Sequence, residues 1–287
     1  MTKVVDLVHH CHKKHKDPKE VLAKEQPTLG FIAFLKDKIN YTVIRHLNYE
    51  GKEITDGISY AFFKRRNAAW QIPFKTHRYI KSLDPDIVLV HGFTFPLQVI
   101  MLKLLLKKKC AFVLQHHGEQ PARSTREFFQ KIAGRFVDAY MFTAAAIATP
   151  WVEHGIINSK NKIVEIQEAS AIIEKKNKLS CKKKLGFAGN NNFLWVGRLN
   201  ENKDPITVVK AFARHVRVHP SAALYMIYQT EELSDSVKNI ITVISCAIIF
   251  SWWGKFRKPT LQTGIMQQII LFQAVMQKAL AMLCWKP

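Results

Sequence analysis

Short apolar segments alternate with helix-like segments along this sequence, and this alternation constrains the fold more than any other feature. The segment Asp86–Val90 (DIVLV) is the clearest strand, and Leu97–Leu106 after it has the length and composition of a helix. Strands that are apolar throughout, rather than at every second residue, are typical of parallel sheets covered by helices on both faces. We therefore predict an α/β fold in which ligands bind beyond the carboxyl ends of the strands.

The alternation divides the chain into two parts. The further strands predicted in the first part are Lys3–Val8, Tyr41–Leu47, Ile58–Phe63, Cys110–Gln115, Ala139–Thr143 and Lys162–Ile166, and the helices are Leu29–Leu35, Thr125–Phe136 and Pro150–His154. After a lysine-rich stretch, the second part predicts strands Phe193–Val196 and Ala223–Tyr228 and helices Pro205–Val218 and Glu231–Asn239. We predict a Rossmann-like domain at 1–172, a linker at 173–185 and the first part of a second α/β domain at 186–240.

The composition of the chain limits the classes of molecule that it is expected to bind. Lysine and arginine number 43 against 22 aspartates and glutamates, which gives a net charge of +21 and favours anionic partners. The basic residues are spread along the chain and do not alternate with aromatic residues, so no nucleic-acid partner is predicted. The five cysteines are far apart and the N-terminus lacks the apolar core of a signal peptide, so we expect a cytoplasmic protein without a thiolate metal site.

The most specific motif of the sequence is FLWVGRLNENKDP, which begins at Phe193. Gly197 ends a predicted strand, and Arg198 and Lys203 follow it, just before the helix that Pro205 opens. Two cations beside a helix N-terminus can bind a diphosphate, because the helix end presents free N–H groups and the cations neutralise the charge. On spacing alone, a solvated basic turn remains the alternative.

Residues 193–212 resemble the G-R-L-x-x-x-K-(G/D) element that opens the nucleotide-binding domain of family 4 glycosyltransferases, and a more diffuse similarity extends from residue 3 to about residue 239. The resemblance implies a GT-B fold of two Rossmann-like domains, a nucleotide-sugar donor, retention of configuration, and no metal or other cofactor. It implies that Gly197, Arg198 and Lys203 bind the donor's diphosphate. Together with the basic charge, it suggests a saccharide or lipid-linked acceptor in cell-envelope or polysaccharide synthesis, at the inner face of an anionic membrane.

The sequence Gln115-His-His-Gly-Glu119 follows a predicted strand of the first domain. Imidazole can orient a sugar or acceptor hydroxyl, and the family resemblance points to His117 as the catalytic histidine of a cleft between the two domains. His116, Glu119 and His9 are further candidates for that cleft, and ordinary loop histidines are the alternative. His9 belongs to a polar stretch predicted as a loop, where no carboxylate stands at metal-ligand spacing, so no metal site is predicted.

The C-terminal segment differs in composition from the rest. No aspartate or glutamate follows Asp235, so the E-x7-E glutamate pair of the family's donor site is missing. When the third base of each codon is read with the first two bases of the next, Met276-Gln277 forces Ala and Trp285-Lys286 forces Glu. From Thr263 onward this frame permits W-Y-N-A-A-D-Y-x-x-S-G-S-H-A-E-G-x-S-Y-A-x-L-E-A, which resembles the family's donor segment and contains E-x7-E. We predict that residues 241–287 are an out-of-frame tail, that the second domain is incomplete, and that the given chain is inactive.

Two other functions remain open on the sequence. In a membrane-anchored α/β binding protein, Ile240–Trp253 would be the anchor, although its about 14 residues are fewer than the roughly 20 that a spanning helix needs. A nucleotide-binding α/β protein such as an epimerase is disfavoured because no G-x-G-x-x-G follows the first strand.

Overall fold

The structure, a computed structural model, describes residues 1–12, 17–22, 30–35, 37–55, 57–65, 70–106, 110–167, 177, 180, 191–228, 231–244 and 250–255. The chain divides into two compact units, Met1–Ile172 and Ile173–Pro287. Nearly all of the predicted linker at 173–185 lies outside the described residues, as do residues 245–249 and 256–287 of the predicted tail.

The first unit is built on an eight-stranded sheet in the order β3-β4-β2-β1-β5-β6-β7-β8. Its strands are β1 (Thr2–His12), β2 (Ile39–Leu47), β3 (Gly51–Thr55), β4 (Ile58–Lys64), β5 (Ile87–His91), β6 (Ala111–Gln115), β7 (Ala139–Phe142) and β8 (Ile163–Glu165). Its α-helices are α1 (Phe74–Leu83), α2 (Pro96–Leu106), α3 (Thr125–Gly134) and α4 (Thr149–Glu153). The edge strand β3 is antiparallel to β4, and all other neighbouring strands of the sheet are parallel.

Both faces of the first sheet are covered, as the apolar strands predict. On β2, Ile44 belongs to one buried cluster with Leu7, Val90 and Phe112, whereas the adjacent Val43 belongs to a second buried cluster on the opposite face. Successive side chains of a strand point to opposite faces, so burial of both neighbours requires cover on both sides. The predicted α/β fold class is confirmed.

The second unit contains a smaller parallel sheet in the order β11-β10-β9. Its elements are β9 (Asn191–Gly197), α5 (Pro205–Val218), β10 (Ala222–Tyr228), α6 (Ser234–Ile244) and β11 (Phe250–Lys255). Every residue of β10 is buried, as expected for a central parallel strand. β11 lies within the predicted out-of-frame tail, and it pairs with β10 over an aromatic-rich stretch of sequence, a composition that favours extended backbone.

Several local predictions are corrected by the structure. The predicted helix at Leu29–Leu35 is a 3₁₀ helix at Gly30–Phe34, and neither α1 nor the edge strand β3 was predicted. The predicted polar loop at His9 is wrong, because β1 continues to His12. Beyond a register shift, β1 pairs again with β2, and this pairing supplies the partners that hold the backbone extended.

None of the helices in the described ranges is long and apolar enough to cross a membrane. The apolar segment considered as an anchor, Ile240–Trp253, begins inside α6 and ends inside β11.

Candidate functional site

The carboxyl ends of β1, β5 and β6 bring polar side chains together at one edge of the first sheet. His91 is the last residue of β5, and it stands opposite Val8 of β1 and Gln115 of β6. His116 and His117 follow directly after β6. This edge is where ligands bind in parallel α/β sheets.

A buried carboxylate lies within β1, close to this edge of the sheet. Asp6 lies within β1 and is only 1 % exposed. Nη1 of Arg45 donates a hydrogen bond of 2.6 Å to Oδ1 of Asp6, and the hydroxyl of Tyr41 donates one of 2.7 Å to Oδ2. Burial by itself would raise the pKa of Asp6, but the charges of Arg45 and His91 and the hydrogen bonds outweigh it and hold this pKa well below its usual range.

Two histidines extend this arrangement from the buried carboxylate to the surface. Nε2 of His91 lies 3.0 Å from Oδ1 of Asp6, a contact with the length of a hydrogen bond but without good alignment. Nδ1 of His91 lies 2.8 Å from Nε2 of His117, which is exposed. We call Asp6, His91 and His117 the histidine network.

Glu119 holds together the two loops that carry these histidines. Its Oε2 accepts a 2.8 Å hydrogen bond from the backbone N–H of His117, while its Oε1 approaches Gly92 so closely that an added Cβ would lie 2.5 Å away. Gly92 has a φ of +83° and donates its backbone N–H to the carbonyl of Gln115 at 2.8 Å. The positive φ favours a glycine at this position, and an added Cβ would also require the end of the Glu119 side chain to shift.

The other two histidine candidates are buried. His116 is 5 % exposed, its Nε2 lies 2.9 Å from the carbonyl oxygen of Glu119, and its ring stacks on Phe142. His9 is fully buried and its ring is packed near those of His46, His77 and Phe95. The structure therefore brings His117 and Glu119 to the accessible sheet edge and places His116 and His9 in the interior.

The second unit carries the predicted basic turn at the carboxyl end of β9. Gly197 ends that strand, and a 3₁₀ helix at Glu201–Lys203 follows, where the side chain of Asn200 accepts a hydrogen bond from the backbone N–H of Lys203. Leu199 is fully buried and anchors the turn to the core of this unit.

Arg198 and Lys203 are exposed on this turn, and the part of the chain that the structure describes offers neither of them a salt bridge. The N-terminus of α5 is less open than predicted. Asp204 adopts a left-handed conformation with φ of 40° and accepts a hydrogen bond of 3.1 Å from Thr207 N–H, and Pro205 has no N–H to offer. An anion at this turn would therefore bind mainly to the two cations.

Among the residues that the structure describes, no group of three or more histidine, cysteine, aspartate or glutamate side chains is arranged to hold a metal ion.

Sequence reasoning missed Asp6, Tyr41 and Arg45 at this site, and it placed His91 beside the cleft but favoured a plain turn there. A single aspartate inside the apolar strand that begins at Lys3 was the available signal, because a buried charge requires partners. Those partners come from β2 and β5, and the sequence does not show the register of the strands.

No protein-family model matches this sequence, and no curated protein matches it significantly. The fold is similar to solved GT-B structures. The lipopolysaccharide outer core galactosyltransferase WaaB in its apo form is 14% identical, with 94% of this chain and 71% of that chain covered at a TM-score of 0.55. Anabaena HepE in complex with UDP and glucose is 13% identical, with 94% and 72% covered at 0.58. Sucrose-phosphate synthase from Thermosynechococcus elongatus is 11% identical, with 89% and 70% covered at 0.55. At these identities the similarity shows the fold, which is α/β of the GT-B type.

Proposed function

We propose that this chain is a glycosyltransferase that moves a sugar from a nucleotide-sugar donor to a hydroxyl group of an acceptor. The observation that carries the proposal is the pair of exposed cations, Arg198 and Lys203, on the turn after β9 of a GT-B fold. When a glycosidic bond to a nucleoside diphosphate breaks, negative charge grows on the leaving phosphate. Cations held at that position stabilise this charge.

His117 of the first unit is the other residue to which the proposal assigns a role. It is exposed at the carboxyl edge of the first sheet, where an imidazole can accept a hydrogen bond from a sugar or acceptor hydroxyl. The motif around Arg198 and Lys203 supports the finer proposal of a family 4 enzyme that transfers a hexosyl group with retention. No catalytic metal is part of this proposal.

The test is nucleoside diphosphate binding, measured by calorimetry with UDP as the probe, in a version of the chain whose reading frame is restored near codon 240. Arg198→Ala and Lys203→Ala should each weaken binding by about 1.5–3 kcal/mol, the value of a charge-assisted hydrogen bond. Arg217→Ala is the matched control, because it removes an exposed arginine from the last turn of α5. Unchanged affinity in both turn variants would remove the basis of the proposal.

We also propose that residues 241–287 are translated in a shifted frame, so that the given chain lacks the groups that bind the donor's sugar and ribose. The residues of the alternative frame support this proposal, because Trp285-Lys286 forces the second Glu of the E-x7-E pair and Gln277-Lys278 permits only Glu or Lys at the first. The nucleotide sequence across codons 235 to 287 tests it directly. A single inserted or missing base relative to the same gene from another isolate supports the shift, and an unbroken frame shared by all isolates overturns it.

We further propose a cytoplasmic enzyme that binds peripherally to an anionic membrane face, where a lipid-linked or cell-envelope saccharide is the acceptor. The net charge of +21 supports this, as do exposed apolar side chains of the first unit: Trp70, which lines a small pocket with Arg126, is 60% exposed, Leu104 63% and Phe128 61%. Sedimentation with vesicles tests it. Binding should require anionic lipid and weaken in Phe128→Ser but not in Val218→Ser, which alters an apolar residue of the second unit that is at least as exposed. Equal binding to neutral vesicles, or by both variants, contradicts it.

A further inference from the structure

A small pocket of the first unit contains no member of the histidine network. It is formed by the loop after β5, the beginning of α2, the helix α3 and one residue before α1, and it is lined by Trp70, Thr94, Pro96, Leu97, Arg126 and Phe129. The helices of a parallel α/β sheet begin near the carboxyl ends of the strands, where ligands bind. The pocket therefore lies near this edge of the sheet, and it combines apolar and aromatic side chains with one positive charge.

Trp70 is exposed, but the backbone beside it is held by buried side chains. The carbonyl oxygen of the next residue, Gln71, accepts hydrogen bonds of 2.8 Å from Nη2 of Arg65 and of 3.1 Å from Nε2 of Gln98, and both of these side chains are buried. The ring of Trp70 meets that of Phe129 edge to face, with the centroids 6.0 Å apart. Trp70 is still 60% exposed, so a large apolar ring is held in place at the surface.

Arg126 supplies the charge of the pocket, and it has no carboxylate partner among the residues that the structure describes. The adjacent Glu127 is engaged elsewhere, because its Oε1 lies 2.9 Å from Nζ of Lys131 and 3.2 Å from Nδ1 of His154. Arg126 is partly buried, so water compensates its charge less fully than on an open surface. A guanidinium group binds carboxylates and phosphates through two parallel hydrogen bonds, so the pocket favours an anionic ligand.

We infer that this pocket binds one sugar ring of the acceptor, and that this sugar carries a carboxylate or phosphate group. The C–H face of the ring packs on Trp70, and its anionic group pairs with Arg126. The exposed Thr94 supplies a hydroxyl group to the same pocket. The inference rests on the proposed function, which provides for a saccharide acceptor, and it narrows that acceptor to an acidic saccharide.

The aromatic ring and the cation together select this class of ligand. A free phosphate ion would use Arg126 alone and leave the ring of Trp70 in water, whereas a neutral sugar would cover the ring and leave the cation unpaired. An acidic pyranose makes both contacts, because one face of its ring is rich in C–H groups and its charge lies at the edge of the ring.

Binding can be measured in the full 287-residue chain by ligand-observed NMR titration, without a donor or turnover. The acidic probes are glucose 6-phosphate and the methyl glycosides of glucuronic and galacturonic acid. Methyl glucoside is the neutral sugar, and inorganic phosphate is the simple anion. We expect at least one acidic sugar to bind about tenfold more tightly than methyl glucoside and than inorganic phosphate, because only the acidic sugar makes both contacts.

Two variants test the two contacts separately. Arg126→Gln should remove the preference, so that the acidic sugar binds as weakly as methyl glucoside. Trp70→Leu should weaken the binding of both sugars about fivefold or more, because the ring face is lost. Arg135→Gln is the matched control, because it removes an exposed arginine from the opposite end of α3, and its affinities should be unchanged.

Equal affinity for acidic and neutral sugars, or unchanged affinities in Arg126→Gln, overturns the inference. Inorganic phosphate that binds as tightly as glucose 6-phosphate identifies a site for a simple anion and also overturns it. The same holds if no sugar binds but anionic vesicles do, in a manner that Arg126→Gln abolishes. A frame-restored chain that binds UDP but no acidic sugar contradicts this inference alone, whereas one that binds acidic sugars but not UDP contradicts only the proposed function.

Discussion

Nη1 of Arg45 on β2 lies 2.6 Å from Oδ1 of Asp6 on the neighbouring strand β1, and both side chains are at most 2 % exposed. The two residues are 39 positions apart in sequence and meet because β1 and β2 are parallel neighbours. A carboxylate inside an apolar strand is stable only with such a partner. This pair underlies the His91 and His117 contacts at the edge of the sheet.

Removing one member of this pair should destabilise the first unit strongly. In Arg45→Met the charge of Asp6 stays buried without its main partner, and we expect a loss of about 3–5 kcal/mol in the free energy of unfolding. Lys75→Met is the control, because it breaks the exposed pair with Glu50 and should change stability by about 1 kcal/mol or less. Urea unfolding followed by tyrosine and tryptophan fluorescence measures both, and similar losses in the two variants would contradict this account of Asp6.

Two glycines in the loops at the edge of the first sheet allow the cost of backbone strain to be measured separately from the cost of steric crowding. Gly92 and Gly118 both have positive φ, +83° and +90°, but an added Cβ at Gly92 meets Glu119 whereas one at Gly118 meets nothing within 4 Å. Gly118→Ala should cost about 1 kcal/mol from strain alone. Gly92→Ala should cost more, by about 1–2 kcal/mol, because Glu119 must also move. Equal unfolding free energies for the two variants would show that Glu119 does not pack against Gly92.

The buried histidines behind β1 should make the first unit sensitive to acid. Burial lowers the pKa of His46 to about 4, and the charges of Arg65 and Arg45 add to this effect, whereas the hydrogen bond that His46 donates to the carbonyl of Val8 opposes it. Burial, together with His46 and Arg65, also lowers the pKa of His77 to about 4. Burial and the neighbouring His77 also hold the pKa of His9 well below its ordinary value. Because these groups bind protons more readily when unfolded, stability is complete above the ordinary value of 6.5 and falls as the pH approaches 4.

We expect a loss of about 2 kcal/mol per histidine between pH 7 and pH 5. Unfolding by urea at several pH values measures it. His77→Leu should flatten the dependence, and His154→Gln, which alters an exposed histidine, should not. A pH dependence that is the same in the native chain and in His77→Leu would argue against a neutral buried histidine.

His117→Ala in a frame-restored enzyme should lower turnover more than it weakens diphosphate binding. His117 belongs to the first unit, whereas Arg198 and Lys203 belong to the second. Loss of its hydrogen bond to a hydroxyl should reduce kcat/KM roughly tenfold and leave the UDP affinity unchanged. Initial rates and calorimetry on the same preparation compare the two, and wild-type turnover would make His117 an ordinary loop histidine.

The sequence predicted those features that local pattern determines. The continuous apolar segment at Asp86–Val90 corresponds to β5 (Ile87–His91), and the helix predicted at Pro205–Val218 has the same limits as α5, since Pro205 and the cap at Asp204 mark its start. Because the strands were predicted correctly, Arg198, Lys203 and His117 were also predicted to follow the carboxyl ends of strands.

Features that depend on pairing between distant segments were not predicted. The contacts of Asp6 with Tyr41, Arg45 and His91 depend on the register of β1 with β2 and β5, and no spacing in the sequence reveals it. The sequence suggests a polar loop at His9 because four histidines and three lysines lie within the nine residues from 9 to 17, yet β1 continues through it and its ring is buried. Polar composition alone did not distinguish a buried strand end from a loop.

The central claim, transfer from a nucleotide sugar, is tested most directly by nucleoside diphosphate release. The given 287-residue chain and a version with one base added or removed near codon 240 are incubated with a panel of nucleotide sugars, and released diphosphate is measured. We predict release by the frame-restored enzyme with at least one donor, reduced in Arg198→Ala and Lys203→Ala, and none by the given chain. No release from any donor by a folded frame-restored enzyme, or equal release by both chains, would contradict the account.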